Sequence, residues 1–170
     1  MSPAVVPFIR LRGLLHQGTG VFILLIKEVN KMHPYPEVYL DEVIENQGRL
    51  FDLVADSYPD KDTRDFIIAF MSGKTRKYMN QGQAYVNTMD EERLWDFFIA
   101  TDYYTLKSGP ALKGFMPEWM GEFYACYQWV YNIPSAEVIK RVPVDFLMKA
   151  YHGLHDLDLE LAVKKVGENQ

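Results

Sequence analysis

Residues 117–131, PEWMGEFYACYQWVY, decide the fold of this chain. Pro117 suits the first turn of a helix, because proline lacks only an N–H that would have no partner there. Aromatic side chains then occupy almost every side of the helix: Trp119, Phe123, Tyr124, Tyr127, Trp129 and Tyr131. A helix that is apolar all round is either central and buried, or keeps one side for a partner. If buried, Gln128 needs a hydrogen-bond partner.

On both sides of this stretch, apolar residues recur three or four positions apart, which is the period of an amphipathic helix. No segment shows the sustained two-residue alternation of a half-buried strand. The sequence therefore predicts an all-α fold, a compact bundle of about seven helices with the aromatic helix at its centre. The predicted helices cover about 36–57, 60–80, 89–100, 117–132, 135–142, 144–151 and 157–166.

Several residues are expected to end or divide these helices. A carboxylate within 60–62 should cap the second helix, and Gly73 should bend or split it. Thr88 and Glu91 have the spacing of a capping box ahead of the third helix. Gly153 suits the C-terminal cap of the sixth helix. Asp156 is placed to cap the last helix.

Composition restricts the class of protein. The chain has 170 residues, of which 48% are hydrophobic and 14% aromatic, which fits one compact domain and excludes intrinsic disorder. Its formal net charge of −5 argues against a general nucleic-acid coat. Its single cysteine, Cys126, excludes an intrachain disulfide framework and a cysteine-based zinc module. We expect Cys126 to be a buried thiol, since no base in its sequence neighbourhood would activate it.

Residues 1–31 differ from the rest, with a net charge of +3 against −8 for residues 32–170. Their apolar run, 21–26, is too short to span a membrane and lacks the flanks of a secretory signal. Residues 27–29, Lys-Glu-Val, can be encoded by a ribosome-binding sequence at a normal distance from Met32. We therefore expect residues 1–31 to be translated upstream DNA or a disordered extension, and the single helical domain to be residues 32–170.

Two short motifs are weak indications of a phosphate-binding or partner-binding site. Gly73-Lys74-Thr75 matches the end of a phosphate-binding loop, but that loop needs a glycine where Ile68 stands and a strand before it, so we reject nucleotide hydrolysis. Lys74, Arg76 and Lys77 form a basic cluster, which we interpret as a solvated helix face, with contact to an acidic partner as the alternative.

His152, His155, Asp156 and Asp158 are the one cluster with metal-ligand chemistry, but Gly153 is expected to break the helix between the histidines. We therefore predict no metal site and keep a His/Asp enzyme at residues 152–158 as an alternative. A second alternative is a helix-turn-helix DNA reader, in which residues 135–142 would be the recognition helix. That helix offers only Lys140 and Arg141 to phosphates, so nucleic-acid binding is not expected outside a complex.

Three sequence blocks resemble a family of small, poorly characterised bacterial proteins. The blocks are Trp119-x-Gly121-x3-Ala125-x-Tyr127-Gln128-Trp129, Tyr151-x2-Leu154-His155-x2-Asp158 and Gly82-x2-Tyr85-Val86-x2-Met89. The resemblance implies an all-helical fold and an antitoxin or accessory role, because genes of this family often neighbour predicted ADP-ribosyltransferase-like toxins. The family-motif residues would then be Trp119, Gly121, Tyr127, Gln128, Trp129, Leu154, His155 and Asp158.

The sequence thus favours a non-enzymatic, cytoplasmic protein that binds another protein. We predict no catalytic residue, no metal and no cofactor, and a protein partner, such as a toxin encoded nearby, rather than a membrane. Because charge attraction speeds encounter, an acidic chain would associate quickly with a basic partner.

Overall fold

A computed structural model describes residues 33–169 of this chain. Over this range a 3-10 turn, Glu37–Tyr39, is followed by nine α-helices, and the β structure here is one isolated bridge between Lys61 and Ser108. The predicted all-α fold is confirmed. The helices are α1 (Leu40–Ser57), α2 (Thr63–Ser72), α3 (Lys74–Asn80), α4 (Ala84–Asn87), α5 (Glu91–Asp102), α6 (Met116–Tyr131), α7 (Ser135–Arg141), α8 (Val144–Leu154) and α9 (Leu159–Gly167). The predictions for residues 1–31 lie outside the described residues.

The aromatic helix α6 is the centre of the bundle. It packs most extensively against α1, and also against α7, α8 and α9. Burial extends over ten of its sixteen residues, including every position from Phe123 to Gln128. Of the two interpretations of its aromatic surface, burial on all sides is therefore the correct one for most of the helix. The left-handed residue Asn132 ends it, and Pro134 precedes the next helix.

The ends of α1 and α2 follow from local chemistry. Tyr58 leaves the helical region just before Pro59, as a residue preceding proline must, and this ends α1. The carboxylate of Asp62 accepts the backbone N–H groups of Arg64 and Asp65 at 3.0 and 3.1 Å, which caps α2 as predicted.

Gly73 splits the second predicted helix into α2 and α3. Its backbone is extended, and the Asp102 carboxylate comes so close that a Cβ at Gly73 would collide with it. That carboxylate accepts the backbone N–H of Lys74 and both the N–H and the hydroxyl of Thr75. An aspartate of the protein therefore occupies the N-terminus of α3, where a phosphate-binding loop would hold its phosphate.

Three predicted helix ends are wrong. Asp90, not Thr88, caps α5 by accepting the N–H of Arg93, while the Thr88 hydroxyl donates to the carbonyl of Ala84 in the one-turn helix α4. Asp158, not Asp156, caps α9. Gly153 lies inside α8, which continues to Leu154. The two N-terminal errors each exchange one competent capping residue for a neighbour, since the backbone path decides which side chain reaches the free N–H groups. At Gly153 the helix continues because a glycine can also take the helical conformation.

None of the described helices combines the length and the apolar character that a membrane-crossing helix needs.

Candidate functional site

The family-motif residues of α6 form a column inside the bundle. The rings of Trp119, Phe123 and Tyr127 follow one another at helical spacing, with centroids 5.3 and 5.9 Å apart. The Tyr151 ring of α8 meets Trp119 edge-on at 5.4 Å. Both Trp119 and Tyr127 are therefore buried core residues, and Trp119 packs α8 against α6.

Gly121 lies where α6 crosses α1. A Cβ at this position would lie 2.5 Å from the carbonyl oxygen of Gln47 and 2.7 Å from the Cα of Gly48. The Gln47 side chain also donates from Nε2 to the Gly121 carbonyl at 2.7 Å. The motif glycine is therefore required by the close approach of two backbones, and Gly48 is its counterpart on α1.

Gln128 joins a buried polar network with residues of two other helices. Its Oε1 accepts from Arg76 Nη2 at 2.5 Å, and its Nε2 donates to Asn80 Oδ1 at 2.6 Å. Asn80 in turn donates to the hydroxyl of Ser135 at 3.0 Å. The expected partner for a buried Gln128 exists, and the network ties α3, α6 and α7 together.

Arg76 was predicted on a solvated face and is instead fully buried. Burial lowers the pKa of its guanidinium and raises the pKa of Tyr35, whose ring lies 6.0 Å from the guanidinium carbon. No carboxylate of the described residues forms an ion pair with it. The cation is therefore held by the carboxamide oxygens of Gln128 and Asn80, at 2.5 and 3.3 Å, and by an aromatic ring.

Trp129 anchors the beginning of the described chain. The His33 ring stacks on its indole with centroids 3.7 Å apart and an interplanar angle of 6°. Nδ1 of His33 donates to the carbonyl oxygen of Trp129 at 2.8 Å. This contact lays residues 33–35 along the C-terminal end of α6, where Tyr35 lies over Arg76.

The second motif block also has structural contacts. Leu154 is buried in the core, and the Asp158 carboxylate accepts the N–H groups of Glu160 and Leu161. His155 stacks on Tyr151 at 4.5 Å and donates from Nδ1 to the Tyr151 carbonyl at 3.0 Å. Its Nε2 lies 3.3 Å from Asp156. Both ring nitrogens of His155 therefore face protein groups.

The structure also shows the surroundings of the candidate metal ligands, of Cys126 and of the cations on α7. No three metal-ligating side chains converge anywhere in residues 33–169. Cys126 is buried, and burial raises the pKa of its thiol to about 12, which keeps it protonated and unreactive at neutral pH. On α7, Lys140 and Arg141 both lie within 4 Å of the Glu137 carboxylate, at 3.8 and 3.4 Å. The DNA-reading alternative would therefore present a helix whose two cations already face an acid.

Carboxylates crowd the outer face of the α1–α6 crossing, and sequence reasoning did not locate them. Burial raises the pKa of Glu122, and the neighbouring charges of Glu118 and Glu45 raise it further. Burial and Asp56 likewise raise the pKa of Asp52, farther along α1. The glycine contact itself causes the crowding, because it draws the two helices together under their acidic residues. We call Glu45, Asp52, Asp56, Glu118 and Glu122 the acidic face.

No protein-family model, no curated protein and no solved structure matches this chain. The resemblance to the small bacterial family therefore stays a prediction.

Proposed function

We propose that this chain is a non-enzymatic protein-interaction protein that binds a basic partner through the acidic face. In its more specific form, the proposal is a cytoplasmic antitoxin or accessory subunit that neutralises a toxin encoded nearby. The observation that carries it is the crowding of Glu45, Glu118 and Glu122 over the α1–α6 crossing.

The acidic face is electrostatically unfavourable in the isolated chain. Burial is the main reason why the pKa of Glu122 is raised, and repulsion from the neighbouring charges of Glu118 and Glu45 raises it further. Among the described residues, Arg49 is the cation that engages this face, through an ion pair with Glu45. A partner that supplies Lys or Arg side chains would reduce the repulsion between these carboxylates. Binding such a partner would therefore lower the electrostatic free energy of the acidic face.

The net charge of the described residues also favours a basic partner. Residues 33–169 carry 22 acidic against 14 basic side chains, a net charge of −8. A field of this sign attracts a basic protein over several ångströms and raises its association rate at low salt. The same field opposes DNA and RNA, and this ranks a basic protein above a nucleic acid as the partner.

The positions of the family-motif residues also bear on the proposal. Trp119, Gly121, Tyr127 and Gln128 are buried and engaged within the bundle, so they are poorly placed to contact a partner. We therefore assign the motif to folding and look for binding on the exposed acidic face.

The test is co-expression of the full chain with the product of each flanking gene, followed by affinity capture and by growth of cells that express the neighbour alone or with this chain. Glu118→Lys/Glu122→Lys should abolish capture and growth rescue. The control Glu37→Lys/Glu168→Lys changes net charge equally at exposed positions outside the acidic face and should retain both. If no neighbour is captured and none is neutralised, or if the control is equally impaired, the proposal is wrong.

A further inference from the structure

We propose a second docking surface, formed by α3, α4, α5 and Tyr103, that binds an extended acidic peptide segment of a partner protein. This surface is separate from the acidic face, and it would bind acidic groups where the acidic face would bind basic ones. We call it the aromatic–cationic patch and define it as Lys74, Lys77, Tyr78, Tyr85, Phe97 and Tyr103.

Three aromatic rings of the patch form a ladder across the helices. Phe97 of α5 lies in the middle, with the Tyr78 ring of α3 at 6.4 Å and the Tyr85 ring of α4 at 6.0 Å, both edge-on. Tyr85 is 56% exposed, while Tyr78 and Phe97 are half-buried. Aromatic rings that pack on the protein on one side and are exposed on the other are common in peptide-binding hot spots. Such rings offer a large contact area and lose little side-chain entropy on binding.

Two cations lie on the same helix as Tyr78, Lys74 one turn before it and Lys77 next to it in sequence. Lys74 and Lys77 are exposed, and neither forms an ion pair with any other described residue. The Lys74 ammonium lies 5.8 Å from the centre of the Tyr103 ring, which is 83% exposed. Residues 33–169 carry a net charge of −8, and within them Lys74 and Lys77 offer two ammonium groups that no described carboxylate pairs with. Charge complementarity therefore selects a partner with carboxylates.

The patch is also held in place before any partner binds. Asp102 fixes the start of α3 through the N–H groups of Lys74 and Thr75 and the Thr75 hydroxyl, and Arg76 fixes the next turn from inside. The lysines thus project from a helix whose backbone has two anchors. Such preorganisation lowers the entropy lost on binding.

Dimensions favour an extended peptide. The two ring separations give the ladder a length of at most about 12 Å, which about four residues of a polyproline II segment cover at ~3.1 Å each. Extended, proline-containing segments commonly dock on aromatic-lined surfaces. A single-stranded nucleic acid could also stack on such rings, but it carries a negative charge on every nucleotide. The net charge of −8 over residues 33–169 therefore opposes it more strongly than it opposes a peptide with one or two carboxylates.

The test uses the full chain as bait for a display library of random 12-residue peptides, with Lys74→Glu/Lys77→Glu as a parallel bait. We expect the wild type to enrich peptides that combine Asp or Glu with Pro or aromatic residues. Fluorescence polarisation of an enriched peptide should then show at least tenfold weaker binding to Lys74→Glu/Lys77→Glu and to Tyr85→Ala. All changed side chains are exposed, and circular dichroism with thermal melts verifies that each variant folds.

The control variant Glu118→Lys/Glu122→Lys should bind the enriched peptide as the wild type does or more tightly, so this experiment is separate from the test of the acidic face. No enrichment, equal enrichment on both baits, or enriched basic peptides would overturn the proposal. A twelve-nucleotide oligo-dT probe is measured in parallel. Saturable binding of this probe that the lysine substitutions abolish, without an acidic peptide, would replace the proposal with a single-strand nucleic-acid site.

Discussion

The two ends of α6 hold their neighbours by opposite means. Near the N-terminal end, Gly121 has no side chain and lets the backbone of α1 approach to contact distance. Near the C-terminal end, Gln128 uses its side chain to satisfy the buried guanidinium of Arg76. One end therefore depends on the absence of atoms and the other on two hydrogen bonds. Although both residues belong to one sequence motif, substitutions at the two ends should fail for different reasons.

The largest effect is expected at the polar end. Gln128→Leu fills the same space but removes the closer of the two carboxamide acceptors of the buried Arg76 cation, leaving the longer contact to Asn80. We expect a loss of about 3–5 kcal/mol in the free energy of unfolding. Urea denaturation measures this loss. The double variant Arg76→Met/Gln128→Leu removes the charge as well and should recover part of the stability. A double variant no more stable than Gln128→Leu would show that the unpaired cation is not the cause.

A smaller loss is expected at the glycine end. Gly121→Ala places a methyl group against the backbone of Gln47 and Gly48, which cannot move without separating α1 from α6. We expect destabilisation of about 1–3 kcal/mol, the usual cost of overpacking. Gly153→Ala is the matched control, because a Cβ there meets no atom within 4 Å. It should raise stability by up to about 1 kcal/mol through helix propensity. Equal effects at the two glycines would refute close packing as the reason for Gly121.

The stacking of His33 on Trp129 should contribute less. His33→Ala removes the ring contact and one hydrogen bond to the Trp129 carbonyl, for an expected loss of about 1 kcal/mol. The tryptophan band in the near-ultraviolet circular dichroism spectrum should weaken at the same time. The conservative variant His33→Phe, which can stack but cannot donate, should restore the band and part of the stability.

The smallest effect concerns the acidic face over the glycine contact. Because the folded-state pKa of Glu122 is raised, the protonated carboxyl favours the folded state, and its contribution is present at low pH and lost as pH rises through the raised pKa. Glu122→Gln should therefore raise stability at pH 7 by about 0.5 kcal/mol, on the scale of a surface charge interaction. Thermal melts between pH 4 and pH 7 should show a shallower decline for Glu122→Gln than for the wild type. A parallel pair of curves would contradict the assigned repulsion.

Local patterns sufficed for much of the fold. The period of the apolar residues located the long helices, Pro59 ended α1, and the Asp62 side chain capped α2 as expected. Gly153 did not end α8, and two predicted N-terminal caps were exchanged for neighbours: Thr88 for Asp90 and Asp156 for Asp158. In each pair both side chains can cap a helix, and the choice depends on where the chain arrives from the preceding element.

The candidate site was less predictable from sequence. Lys74, Arg76 and Lys77 read as one basic cluster, but α3 turns Arg76 into the core while both lysines face solvent. A lone arginine between exposed lysines gives no local signal of burial. The acidic face was equally hidden, since Glu45 and Glu122 belong to different helices that only the Gly48–Gly121 contact brings together.

By itself the sequence determined that this protein is helical and that α6 is apolar on nearly every side, because backbone periodicity and turn chemistry act over a few residues. Tertiary structure alone decided which polar groups lie inside and which charges meet outside. Arg76 and Gln128 are 52 positions apart, and the burial of each depends on the other. Such pairing is a property of packed helices, since removing a charge from water costs free energy that only a distant hydrogen-bond partner can offset.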